Sequence, residues 1–357
     1  MRLYTEQSFS PDISEKNSFT FLRLLLAFSV FLSHFKVLTG AELFYWPISG
    51  PMRVSGFFVI SGFLIIRSYY RSRNLLDYAK KRIRRIVPAY ALTVVACALL
   101  LSLVSSFSFS EYFSSNAFYR YLAANLTFMN FLQPTLPGVF SGNLQPVING
   151  SLWTLKVEVV LYLFVPFLVL FLRKKPFLIF AGLYVLSFSF YYYMNYLYDI
   201  SGETIYLTLK KQFLGQIRFF ISGAALLFYF DFFKRRIKWV LPVALLIFFL
   251  QYFVQSVAVE IVYPLALAVV LISFAYFFKS LAAVSRIGDL SYGFYLYHFP
   301  VIQLFIHFGW LNGRPFLLFL SCFGLLSVLS WLSWHLWEKR FLPKRRRSLF
   351  EGNEVGT

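Results

Sequence analysis

Arg23, His34, Glu158 and His298 are among the ionisable side chains inside long apolar stretches of this sequence, where a charge is expensive to keep. A hydroxyl is a poor nucleophile at neutral pH, and a neutral imidazole is the usual base for activating it. His34 is the candidate base and Glu158 its candidate partner, because a carboxylate fixes an imidazole tautomer and stabilises the imidazolium. His298 is a second imidazole, as readily structural as catalytic, inside an aromatic run from Tyr292 to Tyr297. Arg82 and Arg85 stand one turn apart if their segment is helical, and so share a face from which guanidinium forks can grip a polyanion. Ser61 is either a nucleophile or a small residue that lets helices approach closely. Each group also has a plainer reading. Arg23 can snorkel to headgroups, His34 can bond a neighbouring helix, and Glu158 can be protonated glue.

The elements that must position these residues follow from composition. Of 357 residues, 59% are hydrophobic and 14% charged, against roughly 45–50% and about 25% in ordinary globular domains. A soluble enzyme, a disordered chain and a disulfide scaffold are excluded. Cys97 and Cys322 both fall in apolar runs, where a packed thiol is the default. Ten apolar runs can be read, at 19–38, 52–68, 86–106, 152–172, 177–195, 213–233, 239–256, 260–278, 289–308 and 315–337. Each is near the roughly 20 residues that a membrane helix needs, and none alternates as an outer-membrane strand would. The expected fold is all-α, a polytopic membrane bundle of about ten helices. Residues 1–18 form an N-terminal tail without a signal-peptide layout, 19–341 the membrane domain, and 342–357 a basic tail.

The net charge of +19 reads as topology and not as nucleic-acid binding. Alternate connections carry the cations, among them Arg67 to Arg85, Arg173-Lys174-Lys175, Lys234-Arg235-Arg236 and the segment after Trp337. Together with both tails they hold 25 of the 34 Lys and Arg residues, and the other side holds seven. Both termini are therefore expected in the cytoplasm. Arg23 then lies near the inner face. His34, about 16 Å further along at ~1.5 Å per residue, lies towards the outer one, at a depth comparable with Glu158. The longest external segment, roughly 107–151, is expected along the outer interface.

These residues sit in six motifs that, in order, resemble the acyltransferase-3 family of integral membrane acyltransferases, from about Phe19 to Phe341. Arg23 and His34 match its Arg-x10-His. Residues 56–65, Gly-Phe-Phe-Val-Ile-Ser-Gly-Phe-Leu-Ile, are similar to its second-span motif. Arg82, Arg85 and Pro88 fit its basic motif, Trp153 and Glu158 its fourth-span motif, Gly288 to Pro300 its Ser-Tyr…His-x-Pro motif, and Trp337 to Phe341 its closing one. The resemblance implies transfer of an acyl group, usually acetyl, from cytosolic acetyl-CoA to a hydroxyl of a saccharide or glycolipid at the outer face of a bacterial cytoplasmic membrane. It implies an acyl-CoA donor and the bilayer as partners, with no metal and no nucleic acid. His34, Glu158 and His298 would be catalytic, Arg23, Arg82 and Arg85 would hold the donor, and Trp153 and Ser61 would touch substrate. One departure is clear: where the family often has an acid before Phe-Phe in the second span, this chain has Ser55-Gly56; if that acid orients the catalytic histidine in the family, its role here passes to another residue, with Glu158 the obvious substitute, or is lost. No fused SGNH-type esterase domain is expected, and the membrane domain would act alone or hand its acyl group to a separate periplasmic transferase. The alternative is a transporter or flippase for a lipid-linked sugar, with the same charges lining a pathway.

Overall fold

The structure is a computed structural model that describes residues 17–41, 43, 50–254 and 256–342. The first sixteen residues and the basic tail from Pro343 fall outside the described residues. Helices form wherever the apolar runs were read: α1 (Phe19–Thr39), α2 (Gly50–Tyr70), α3 (Leu75–Leu100), two short helices α4 (Phe109–Ser114) and α5 (Asn116–Leu126), α6 (Trp153–Leu172), α7 (Pro176–Ser201), the short α8 (Thr204–Leu209), α9 (Phe213–Phe228), α10 (Phe230–Phe253), α11 (Val257–Phe277), α12 (Ser291–His307) and α13 (Pro315–Leu332). No strand occurs among the described residues. Every backbone polar group in a bilayer must be satisfied within its own segment, and helices achieve that.

Eight of these helices are long and apolar enough to cross a membrane. The remaining two runs became α9 and α12, of 16 and 17 residues. Both are buried along most of their length, so they meet protein rather than lipid and need not match the bilayer thickness. Helix α10 is the opposite case, burying only Phe233 and Ala244 among its described side chains. It forms a lipid-facing rim.

Two connections are tighter than the charge pattern implied. Basic residues 80–85 are not a loop but lie within α3, which begins at Leu75. Its Asn74 cap accepts a hydrogen bond from the Asp77 amide at 2.8 Å, so Arg82 and Arg85 do share a helical face. Likewise Lys234 to Lys238 lie in α10, which Tyr229 alone separates from α9.

Glycines set the closest helix contact. A Cβ on Gly62 would stand 1.9 Å from the Phe220 carbonyl oxygen, and one on Gly223 would stand 2.0 Å from that of Val59. The backbones of α2 and α9 therefore meet through reciprocal notches. Helix α1 is fixed to α13 by ring contacts, including Phe31 with Phe319 at 5.5 Å and Phe28 with Phe323 at 5.6 Å.

Candidate active site

One end of the bundle gathers charges from four separated parts of the chain. Arg85 of α3 reaches Asp289, just before α12, at 2.6 Å, and Glu338, beyond α13, at 3.7 Å. Arg23 of α1 shares the same Asp289 oxygen at 3.1 Å. Ser291 donates to the other Asp289 oxygen at 2.6 Å. These side chains are largely buried, and a buried ion pair survives only where hydrogen bonds and partners are nearly complete. Arg85 lies over the Tyr292 ring at 5.5 Å and near Trp334 at 5.9 Å. Arg82, one turn earlier, has a different setting. It donates to Ser68 Oγ at 3.0 Å, lies 5.7 Å over the Tyr162 ring, and pairs with no carboxylate among the described residues. Its Nε has no hydrogen-bond partner.

Arg23, Arg82 and Arg85 form one wall of a cavity of about 140 Å³, a volume that takes a narrow chain but not a nucleotide. It runs along α2, α6 and α12, past Ser61, Glu158 and Tyr162, to Phe57, Thr154 and Tyr295. Midway, Ser61 Oγ donates to Glu158 Oε1 at 3.1 Å, and Tyr162 donates to the same oxygen at 2.5 Å. At the far side Tyr295 donates to the Ser151 carbonyl at 2.6 Å and bonds Thr154. Its ring lies 5.9 Å from that of Phe57. The cavity wall stops at this layer.

Beyond Tyr295 lies the imidazole pair. His34 Nδ1 is 2.8 Å from His298 Nε2, and the two rings lie edge to edge and nearly coplanar, their centroids 5.0 Å apart and their planes 21° from parallel. His298 is fully buried, with its Nδ1 3.1 Å from the Phe294 carbonyl oxygen. Phe299 packs edge-on to His34 at 5.3 Å. The segment that follows α5 closes over this region. Pro300 lacks an N–H, so the helix leaves the Leu296 carbonyl without its usual donor; Asn149 Nδ2 supplies one at 2.8 Å. Fully buried Gln303 donates to the Gln145 carbonyl at 2.5 Å and that of Val147 at 2.8 Å, and accepts from Asn143 at 2.8 Å. Gly150 makes the fit possible, since a Cβ there would stand 2.8 Å from the Phe299 ring.

The expected residues thus divide into two groups. Arg23, Arg82, Arg85, Ser61 and Glu158 share the cavity, and His34 and His298 share a hydrogen bond. The structure does not bring Glu158 to His34, because its carboxylate is taken up by Ser61 and Tyr162 on the cavity side of Tyr295. Trp153 opens α6 and packs partly buried against the core. Sequence reasoning missed Asp289, Glu338, Tyr162, Tyr295, Asn149 and Gln303. Asp289 was the most findable, an acid inside a motif already singled out. The orphan carbonyl that Pro300 creates four residues back was the signal for Asn149.

The described residues thus form an all-helical bundle with a basic, narrow cavity at one end and an imidazole pair beyond it, and the family match makes the protein an integral membrane acyltransferase. The chain belongs to the acyltransferase-3 family, whose acyltransferase domain matches residues 16–335. Among its relatives, the O-acetyl transferase of Shigella phage Sf6 is 30% identical over 346 residues, covering 92% of this chain and 97% of that protein. Nodulation protein 10 of Rhizobium leguminosarum bv. viciae is 28% identical over 322 residues, 83% of this chain and 86% of that protein. The O-acetyltransferase OatA of Staphylococcus aureus is 26% identical over 317 residues, 75% of this chain but 48% of its own length. No solved structure matches this chain.

Proposed function

We propose that this enzyme moves an acetyl group from cytosolic acetyl-CoA to a hydroxyl of a cell-surface or lipid-linked saccharide, in a bacterial cytoplasmic membrane with both termini inside. The observation that carries this reading is the order of parts along the bundle: three arginines, a narrow cavity, then a hydrogen-bonded imidazole pair. In this reading the nucleotide phosphates stay at the arginine end, where Arg82 offers a guanidinium with free donors. The arm threads the cavity past Glu158, and the thioester reaches the imidazoles after Tyr295 swings aside. His34 takes the proton of the attacking hydroxyl while the new C–O bond forms and the C–S bond breaks. The thiolate leaves with CoA and takes that proton back. Ser61, tied to Glu158 at the cavity wall, lines the path of the arm.

The test is purified protein in detergent given acetyl-CoA, with free CoA thiol as the readout. The wild type should release CoA, and normally folded His34→Ala should lose about 10²–10⁴-fold, the usual contribution of a positioned base. Unchanged release by His34→Ala would remove the base from His34. Mass spectrometry of surface glycans from a deletion strain would identify the acceptor by its missing acetyl groups.

A further inference from the structure

Glu158 is bonded to Ser61 and Tyr162, so another group must orient His34. We propose that His298 is the positioning residue for His34, an uncharged imidazole anchored on a backbone carbonyl. This rests on the reading of His34 as the base and adds what makes it one.

The assignment follows from hydrogen-bond logic. The Phe294 carbonyl oxygen can only accept, so His298 Nδ1, 3.1 Å away, carries its proton and donates. In a neutral ring the other nitrogen is then an acceptor. His298 Nε2 therefore accepts from His34 Nδ1 at 2.8 Å, which leaves the lone pair of His34 on Nε2, the edge turned away from His298. The chain of donors runs from His34 through His298 to the backbone and leaves one basic nitrogen open. Reversing it would aim N–H at N–H or strand a lone pair against the carbonyl. The anchor itself is rigid. His298 has no exposed surface, its helix is stapled by Asn149 at the Leu296 carbonyl two residues before it, and Phe299 packs edge-on against His34.

Compared with a carboxylate, this arrangement orients the base without adding a negative charge. The imidazolium formed during transfer keeps its Nδ1–H bond but gains no ion pair. The predicted penalty for losing the partner is therefore smaller than the ~10⁴-fold seen when a triad aspartate is neutralised in serine proteases.

The experiment compares His298→Leu, which fills space without an acceptor, with His298→Gln, whose side-chain oxygen reaches the place of Nε2. Acetyl-CoA cleavage is followed with water as the acceptor. We expect His298→Leu to lower kcat about 10²-fold with the KM for acetyl-CoA within about twofold, and His298→Gln to recover at least tenfold of that loss. Solid-state NMR of histidine-labelled protein reads the tautomer directly, since the chain has four histidines and His34 is assigned from the spectrum of His34→Ala. His34 should be the Nδ1–H form in the wild type and in His298→Gln, and a mixture in His298→Leu. Wild-type kcat in His298→Leu, a folded Gln variant no better than Leu, or an Nε2–H His34 in the wild type would each overturn the proposal. If His34→Ala is inactive while His298→Leu is normal, only the positioning role fails; if His34→Ala is active, the base assignment fails first.

Discussion

Arg82 and Arg85 carry the same charge one turn apart, yet the structure gives them different work, and alanine at each should fail differently. Arg82 has no acid partner among the described residues and an Nε without a hydrogen-bond partner. Removing it costs the fold little beyond one bond to Ser68 and a cation–π contact with Tyr162. In the proposed reading it also removes a charged group from the donor's phosphates. A hydrogen bond to a charged group is worth about 1.5–3 kcal/mol, so at ~1.4 kcal/mol per decade the Kd for acetyl-CoA should rise roughly tenfold to a hundredfold. Arg82→Lys should recover part of that, since it keeps the charge and loses the fork. Arg85 already spends its guanidinium on Asp289 at 2.6 Å and Glu338 at 3.7 Å, with the Glu338 side chain 4% exposed. Its loss leaves buried acids short of a cation, which costs about 3–5 kcal/mol. Arg85→Ala should therefore lower Tm sharply, and adding Glu338→Gln should restore part of the loss by removing an orphaned carboxylate. Acetyl-CoA titration calorimetry and thermal unfolding in nanodiscs read the two effects separately. Equal Kd and equal Tm for Arg82→Ala and Arg85→Ala would refute the division of labour.

Gly150→Ala should lower CoA release at least tenfold with the donor KM unchanged, because the new methyl would lie 2.8 Å from the Phe299 ring that confines His34; steady-state kinetics decide it. Gly223→Ala meets the Val59 carbonyl oxygen at 2.0 Å, backbone that cannot turn aside, and should reduce membrane-inserted yield and Tm far more than Gly182→Ala, where nothing lies within 4 Å. Reporter fusions after Lys175 should register cytoplasm and those near Asn143 and Ser201 the exterior; a cytoplasmic signal at Asn143 would break the ten-span arrangement.

The spans were legible because membrane helices are written in composition. Helix α12 was legible as an apolar run carrying His298; that it is buried along most of its length depends on neighbours remote in sequence. The same holds for the site. Arg23 and His34 announced themselves as costly groups in one span. Their partners did not, since His298 lies 264 residues from His34 and Asp289 lies 204 from Arg85. Pairing Glu158 with His34 was reasonable on depth alone. Depth says nothing about azimuth, and α6 turns Glu158 towards Ser61 of α2 instead. Local rules did reach some of the rest: the Asn74 cap makes the basic stretch helical, and the proline in α12 obliges some external group to serve the Leu296 carbonyl.

The layer of Tyr295, Thr154 and Phe57 at the far side of the cavity bears on the energetics of the cell as well as on the reaction. A wet passage from the arginines to the outer surface would let protons run down the transmembrane potential, worth about 2.3 kcal/mol per charge per 100 mV. With the Tyr295 hydroxyl held by the Ser151 carbonyl and its ring against Phe57, this layer stands between the arginine-lined cavity and the imidazole pair. In the proposed reading only the uncharged, threadlike end of the donor parts that layer and fills the gap it makes, so acetyl transfer need not open a leak in an energised membrane.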